Sequence, residues 1–283
     1  MKYSGEFKTI DTQEKAYFLG QCYGDGYNGI DVRYGRTYYK FSIASLNTDK
    51  PIYAKLAEEF PFLKLKTYPS HQNMIYLECH CKEFCIDLRN LGFISNKTKK
   101  DATGEFHFPK ISKDLLPHFI RGYFDADGSA WYPKRYRSRN NLHIEFSCNT
   151  PNFLNQLSIV LKQVGLDFSK YQRKKKAGFD EKLYQSYGIF SSNKELSKRF
   201  ADYIYKNATL YLQYKYDKCY RKPLDIPPTT FEIYGSCPYC NGNHIWRSSI
   251  RHNKSGDKIR LKCRDCYRSF SVPMPTSEVT QNE

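Results

Sequence analysis

The sequence predicts an α+β protein of two pseudo-symmetric halves, each running αββαββα with antiparallel sheets, followed by a small C-terminal domain organised by four cysteines. Three observations carry this expectation. Phe18-Leu-Gly-Gln-Cys-Tyr-Gly-Asp-Gly26 matches Ile120-Arg-Gly-Tyr-Phe-Asp-Ala-Asp-Gly128 in its order of bulky, small and acidic positions, at an offset of 102 residues. The same offset places Asn47-Thr48 on Asn149-Thr150, each after a strand-forming run, Tyr39 to Ala44 and Leu142 to Ser147. Finally, Cys237-Pro-Tyr-Cys240 and Cys263-Arg-Asp-Cys266 are separated by 22 residues, the spacing at which two turns aim four thiolates at one tetrahedral zinc ion.

In chain order, Asp11-Thr-Gln-Glu14 reads as a capping box opening a helix that ends at Asp25-Gly26. Asn28-Gly29 and Tyr34-Gly35-Arg36 read as turns among strand-forming residues. Pro51 to Phe60 suits a short helix, Leu63 to Leu77 two strands, and Cys81 to Gly92 a helix stopped by its glycine. In the second half Pro117 suits the first turn of a helix leading to Asp127-Gly128. A basic strand pair, a helix over 152–164 and strands over 168–190 follow. Three prolines in Lys222 to Pro228 mark a stiff linker, so the expected domains are 1–100, 101–223 and 224–283.

Charge narrows the function. With 45 Lys and Arg against 29 Asp and Glu, the formal charge is +16, which favours a polyanionic partner, nucleic acid first. Apolar residues at 40% are too many for a solvated tail, so the charge belongs on a folded surface. No uncharged stretch is long enough to span a bilayer. Glu6, Asp11 and Glu14 fall where a signal peptide needs an apolar core, so an intracellular, cytoplasmic protein without membrane contact is expected.

Gly20 and Gly24, and likewise Gly122 and Ala126, lie four residues apart and so share a helix face, which lets two helix backbones approach closely. Each helix ends in an aspartate, Asp25 or Asp127, where the helix dipole disfavours an acid. Two such acids side by side repel, and a divalent cation would relieve both problems. A lone Asp-Gly is usually only a turn signal; the duplication argues against that here.

These residues resemble the LAGLIDADG homing endonucleases in their single-chain, two-repeat form, over residues 12–222. Phe119 to Ser129 is a near-complete copy of the family motif; the first copy is looser, with Gln21 and Cys22 at core positions and Tyr23 where Asp125 stands in the second. The resemblance implies motif helices packed between the halves, a four-stranded DNA-binding sheet in each, and a monomer acting on double-stranded DNA. It implies Asp25 and Asp127 as ligands of Mg²⁺ or Mn²⁺, with the carbonyls of Gly24 and Ala126 beside them. It also implies a basic residue near each metal, for which Lys97 and Lys215 are the best equivalents.

For DNA contact the basic segments are Arg33 to Lys40, with Arg36 between them; Lys134 to Asn141, with Arg135, Arg137 and Arg139; and Tyr171 to Lys176, with Arg173, Lys174 and Lys175. The cysteine domain, with eight Lys and Arg against two acids from Cys237 to Val272, resembles the zinc ribbons of some insertion-sequence transposases and adds a further DNA contact. Cys79, Cys81 and Cys85 read as buried thiols rather than a second metal site, and Cys22, Cys148 and Cys219 as packing residues.

The leading expectation is a site-specific, metal-dependent DNA endonuclease making double-strand breaks. The alternative is a non-cleaving nucleic-acid-binding protein on the same scaffold, an RNA maturase or a DNA-binding regulator. A transposase fragment lacks a separate nuclease core in the rest of the chain.

Overall fold

The first helix, α1 (Gln13–Asp25), is capped by Thr12, whose hydroxyl accepts from the backbone N–H of Lys15 at 3.2 Å. Asp11 instead forms an ion pair with Lys15 at 2.7 Å, so the capping residue is one position later than the sequence signal suggests. The computed structural model describes residues 2–133, 140–176, 183–221, 234–252 and 256–273. The chain divides into two units between residues 223 and 224. Lys134, Arg135, Arg137, Arg139 and the proline-rich linker lie outside the described residues.

The first half continues with strands β1 (Gly26–Arg33) and β2 (Arg36–Leu46), helix α2 (Lys50–Glu59), strands β3 (Lys64–Lys66) and β4 (Met74–Cys79), and helices α3 (Lys82–Asn90) and α4 (Lys97–Ala102). The second half runs α5 (Leu116–Asp127), β5 (Gly128–Trp131), β6 (His143–Cys148), α6 (Pro151–Gln163), β7 (Ser169–Lys176), β8 (Leu183–Ser191), α7 (Lys194–Tyr205) and α8 (Gln213–Cys219). Each half folds its strands into one antiparallel sheet, in the orders β1-β2-β4-β3 and β5-β6-β8-β7. The strand orders are the same when counted from each motif helix.

One expected turn is absent. Asn28-Gly29 lies inside β1, where Asn28 is fully buried and its amide donates to the carbonyls of Cys85 at 3.0 Å and Phe93 at 3.2 Å. Tertiary hydrogen bonds therefore override a strong local turn signal. The hairpin turns at Tyr34-Gly35, both with positive φ.

α1 and α5 pack against each other through their small residues. A Cβ at Gly20 would overlap the Phe119 carbonyl oxygen, and one at Gly122 the Tyr17 carbonyl oxygen, so only glycine permits this approach. Around this seam lies an aromatic core. Tyr23 on α1 meets Phe119 on α5 at 5.2 Å between ring centroids, and Phe106 and Phe153 at 5.1 and 5.5 Å. Each such ring contributes roughly 1.5–3 kcal/mol by burial, which ties the two halves through one core. No helix among the described residues is long and apolar enough to cross a membrane.

The second unit has one antiparallel sheet, β9 (Ile245–Arg251), β10 (Lys258–Cys263) and β11 (Ser269–Pro273), in the order β11-β10-β9. Its buried cluster is Cys237, Ile245, Ile259, Leu261 and Cys263. So little apolar burial rarely stabilises a fold unaided, and two of those residues are thiols.

Candidate active site and metal centre

The seam carries its geometry to the far end of both helices. Gly24 faces Ala126 so closely that a methyl on Gly24 would overlap the alanine Cβ, which brings Asp25 and Asp127, the next residues, to the same place. Both side chains reach solvent, yet protein surrounds them closely. This crowding is the larger cause that raises the Asp25 carboxyl to about 6; repulsion from Asp127 adds to it, and Lys97 and Lys215 oppose it. Crowding likewise raises Asp127, against the same two lysines.

Two ammonium groups stand at these helix ends. Lys97, the first residue of α4, donates to the carbonyls of Tyr23 at 2.9 Å and Gly24. Lys215, within α8 and only 5% exposed, donates to the carbonyls of Phe124 and Asp125 at 2.6 Å each and of Gly128 at 2.8 Å, with Ala126 at 3.4 Å. They satisfy last-turn carbonyls that a helix leaves orphaned and place positive charge at the negative dipole ends. Burial lowers both lysine pKa values, and the aspartates oppose that shift. The relief that the sequence assigns to a divalent cation alone is thus partly supplied by the chain. The oxygens present, two carboxylates with the Gly24 and Ala126 carbonyls beside them, are the hard donors that suit Mg²⁺ or Mn²⁺.

Strand alternation sorts the basic residues. In the first sheet Phe41, Ile43, Ile75 and Leu77 face the core. Arg33, Arg36 and Lys40 therefore share the open face with Tyr27, Tyr38 and Tyr76, and with Lys64 and Lys66, which sequence reasoning did not single out. Part of this charge is paired: Arg33 with Asp31 at 2.5 Å, and Lys40 and Lys66 with the buried Glu78 at 3.3 and 3.4 Å. In the second sheet Arg173 holds an open-face register position and pairs with Glu145 at 3.2 Å. Lys174 falls on the opposite register, opposite Gln185; the side chains of Lys175 and Lys176 lie outside the described residues.

In the second unit the thiols of Cys237, Cys240, Cys263 and Cys266 lie within 4.8 Å of one another. Cys237 and Cys266 are 3.7 Å apart and Cys240 and Cys263 3.6 Å, near the roughly 3.8 Å tetrahedron edge that a zinc–sulfur bond of about 2.3 Å requires. The residue after each pair, Asn241 and Tyr267, adopts positive φ, so both turns have the same shape. The backbone N–H of Asp265 donates to Cys263 Sγ at 3.3 Å. The residues present fit zinc. Cys79 and Cys85 are buried thiols, as are Cys22 and Cys219, and no other group of three or more metal-ligating side chains occurs among the described residues.

The sequence model of the family described as "LAGLIDADG-like domain" matches residues 114–205. Comparison with curated protein sequences gives no significant match. Among solved structures, the meganuclease I-AabMI bound to uncleaved DNA is similar at 13% identity and a TM-score of 0.48, over 72% of this chain and 86% of that one. The homing endonuclease I-GzeII in complex with its DNA target gives 10% and 0.47, over 75% and 88%. An I-DmoI variant with its nicked target DNA and manganese gives 14% and 0.45, over 70% and 97%. The matched residues 114–205 span the second half, and the preceding half has the same succession of helices and the same strand order.

Proposed function

We propose that the protein is a site-specific, divalent-metal-dependent DNA endonuclease of the homing type, making double-strand breaks by phosphodiester hydrolysis. The observation that carries this reading is the pair of carboxylates, Asp25 and Asp127, at two abutting helix ends, with Lys97 and Lys215 acting on both. Asp25 and Asp127, with the carbonyls of Gly24 and Ala126, would hold Mg²⁺ or Mn²⁺. When bound, the metal would supply an activated water and charge stabilisation at the leaving oxygen. Lys97 and Lys215 lie where developing phosphate charge would be met, and their low-dielectric setting strengthens that attraction. The open sheet faces, with Arg33, Arg36, Lys40 and Arg173, offer phosphate and base-edge contacts to double-stranded DNA. The cysteine domain would fold on Zn²⁺ and add its own basic contact. The protein would act as a monomer inside the cell, since both acids lie on one chain.

One observation favours a second reading, a binding protein without cleavage: the lysine ammonium groups already satisfy the carbonyls at both helix ends without a metal. The deciding experiment is selection from a randomised duplex library with Mg²⁺ or Mn²⁺, scoring bound and cut molecules separately. The nuclease reading expects one recurrent sequence to be both bound and cut. Enrichment by binding with no cut under either metal would replace it with the binding reading.

A further inference from the structure

Lys97 and Lys215 each lie in the helix that follows the third helix of their half, α4 or α8, but not at the motif offset. The 102-residue offset that relates the motifs would carry Lys97 to Arg199, which is exposed and donates to the Gly165 carbonyl. The fixed offset that relates the motifs therefore does not relate the lysines. The residues that do relate by the offset are Tyr23 and Asp125, each two positions before its terminal aspartate and each only 1% exposed.

Each of these two residues touches its lysine twice, once directly and once through the chain that carries it. The main-chain carbonyl of Tyr23 accepts from Lys97 at 2.9 Å, and that of Asp125 accepts from Lys215 at 2.6 Å. The Tyr23 hydroxyl donates to the carbonyls of Leu91 and His107, both at 2.9 Å, while its ring lies 5.7 Å from Phe93. Leu91 closes α3, and the connection from it leads directly into Lys97. On the other side the Asp125 carboxylate accepts from the backbone N–H of Leu212 at 2.8 Å, the residue that flanks the start of α8, three positions before Lys215. Tyr17 and Tyr205 hydroxyls, donating at 3.0 and 2.7 Å, fix that carboxylate in place.

The chemistry of each residue matches what its segment offers. The end of a helix, as at Leu91, leaves carbonyls and calls for a donor; the start of one, as at Leu212, leaves an N–H and calls for an acceptor. The substitution of tyrosine for aspartate between the motif copies is then a change of donor for acceptor. We propose that Tyr23 and Asp125 are positioning residues, Tyr23 fixing the ammonium of Lys97 and Asp125 that of Lys215 at the helix ends that carry Asp25 and Asp127. The placement of the lysines stands on geometry; its consequence for strand cleavage rests on the nuclease reading.

The test uses the full chain with Tyr23→Phe, which keeps the packed ring, and Asp125→Asn. Brief acetylation read by mass spectrometry reports how tightly each ammonium is held, whether or not the protein cuts DNA. Tyr23→Phe should raise the labelling rate of Lys97 about tenfold while leaving Lys215 protected, and Asp125→Asn should do the reverse. Unchanged labelling, or equal gains at both lysines in either variant, would overturn the proposal; should Asp125→Asn not fold, Tyr23→Phe decides it alone. On a selected duplex, Tyr23→Phe should slow the same strand as Lys97→Met, and add nothing to that variant. Equal slowing of both strands would overturn the proposal, whereas a wild-type protein that cuts no duplex defeats the nuclease reading and leaves the labelling result to judge this one.

Discussion

Adding one methyl at Gly122 tests the helix seam on which the whole site depends. In an isolated helix, glycine to alanine gains about 1 kcal/mol from propensity. Here the new Cβ would overlap the Tyr17 carbonyl oxygen and crowd the Gln21 nitrogen, both backbone atoms of the partner helix. Neither can rotate away, so the overpacking cost belongs at or above the upper end of the usual range of about 1–3 kcal/mol. The net expectation is a loss of roughly 2 kcal/mol, or about 4–8 °C in melting temperature for a unit of this size. Gly24 offers an internal control, because the overlap of its added methyl is with the Ala126 Cβ, while the backbone Ala126 Cα and Asp127 N lie at 3.4 Å. Gly24→Ala should destabilise the wild type, yet in an Ala126→Gly background it merely moves the methyl across the seam and should be neutral or stabilising. Urea and thermal unfolding followed by far-UV circular dichroism would measure all four proteins of this cycle and Gly122→Ala. A Gly122→Ala protein as stable as wild type, or additive effects at 24 and 126, would refute the close contact of α1 and α5.

Arg36→Ala and Arg173→Ala, on the open faces, should each reduce the salt slope of DNA binding by about 0.9, while Lys174→Ala on the opposite register should leave it nearly unchanged; equal effects would mean the register does not decide contact. Zinc analysis should find one ion per chain, lost in a Cys263→Ser/Cys266→Ser variant, and chelation should unfold the second unit while α1 to α8 stay folded. A chain ending at residue 223 should still cut at saturating protein, but with weaker binding; tight binding by the truncated chain would take DNA contact away from the cysteine domain. His118 accepts from Arg121 at 2.8 Å, and burial followed by the Arg121 charge lowers its pKa to about 4. Its neutral form is the one the fold favours, so its contribution to stability is complete above about pH 6.5 and lost as pH falls through about 4. An NMR titration midpoint near 6.5 would contradict that environment.

The helix seam was legible because glycine at a four-residue spacing, repeated at a fixed offset, has few explanations other than close backbone approach. The four cysteines were legible because their ligands are local. What escaped the sequence was decided by distant partners. Asn28-Gly29 carries the signature of a turn, but the carbonyls of Cys85 and Phe93, far along the chain, hold Asn28 in a strand. Tyr171 to Lys176 reads as one basic run until pairing with β8 divides it between two faces. Arg121, in the middle of the second motif, would be assigned to solvent on composition alone; it is fully buried, donating to the carbonyls of Leu210 at 2.7 Å and Ile204 at 2.9 Å and lying 5.2 Å from the Tyr17 ring. Tyr23 looked like a weakening of the first motif because its role depends on Leu91 and His107, which no local pattern connects to it.

The central claim is that Asp25 and Asp127 form the cutting site. Its most direct test compares the wild type with Asp25→Asn and Asp127→Asn on the selected duplex in Mg²⁺, measuring binding, nicked product and linear product from the same reactions. The account predicts that both variants bind with near wild-type affinity, that neither makes a double-strand break, and that any residual cutting is a nick in one strand. Double-strand cleavage by either variant at the wild-type rate would contradict it.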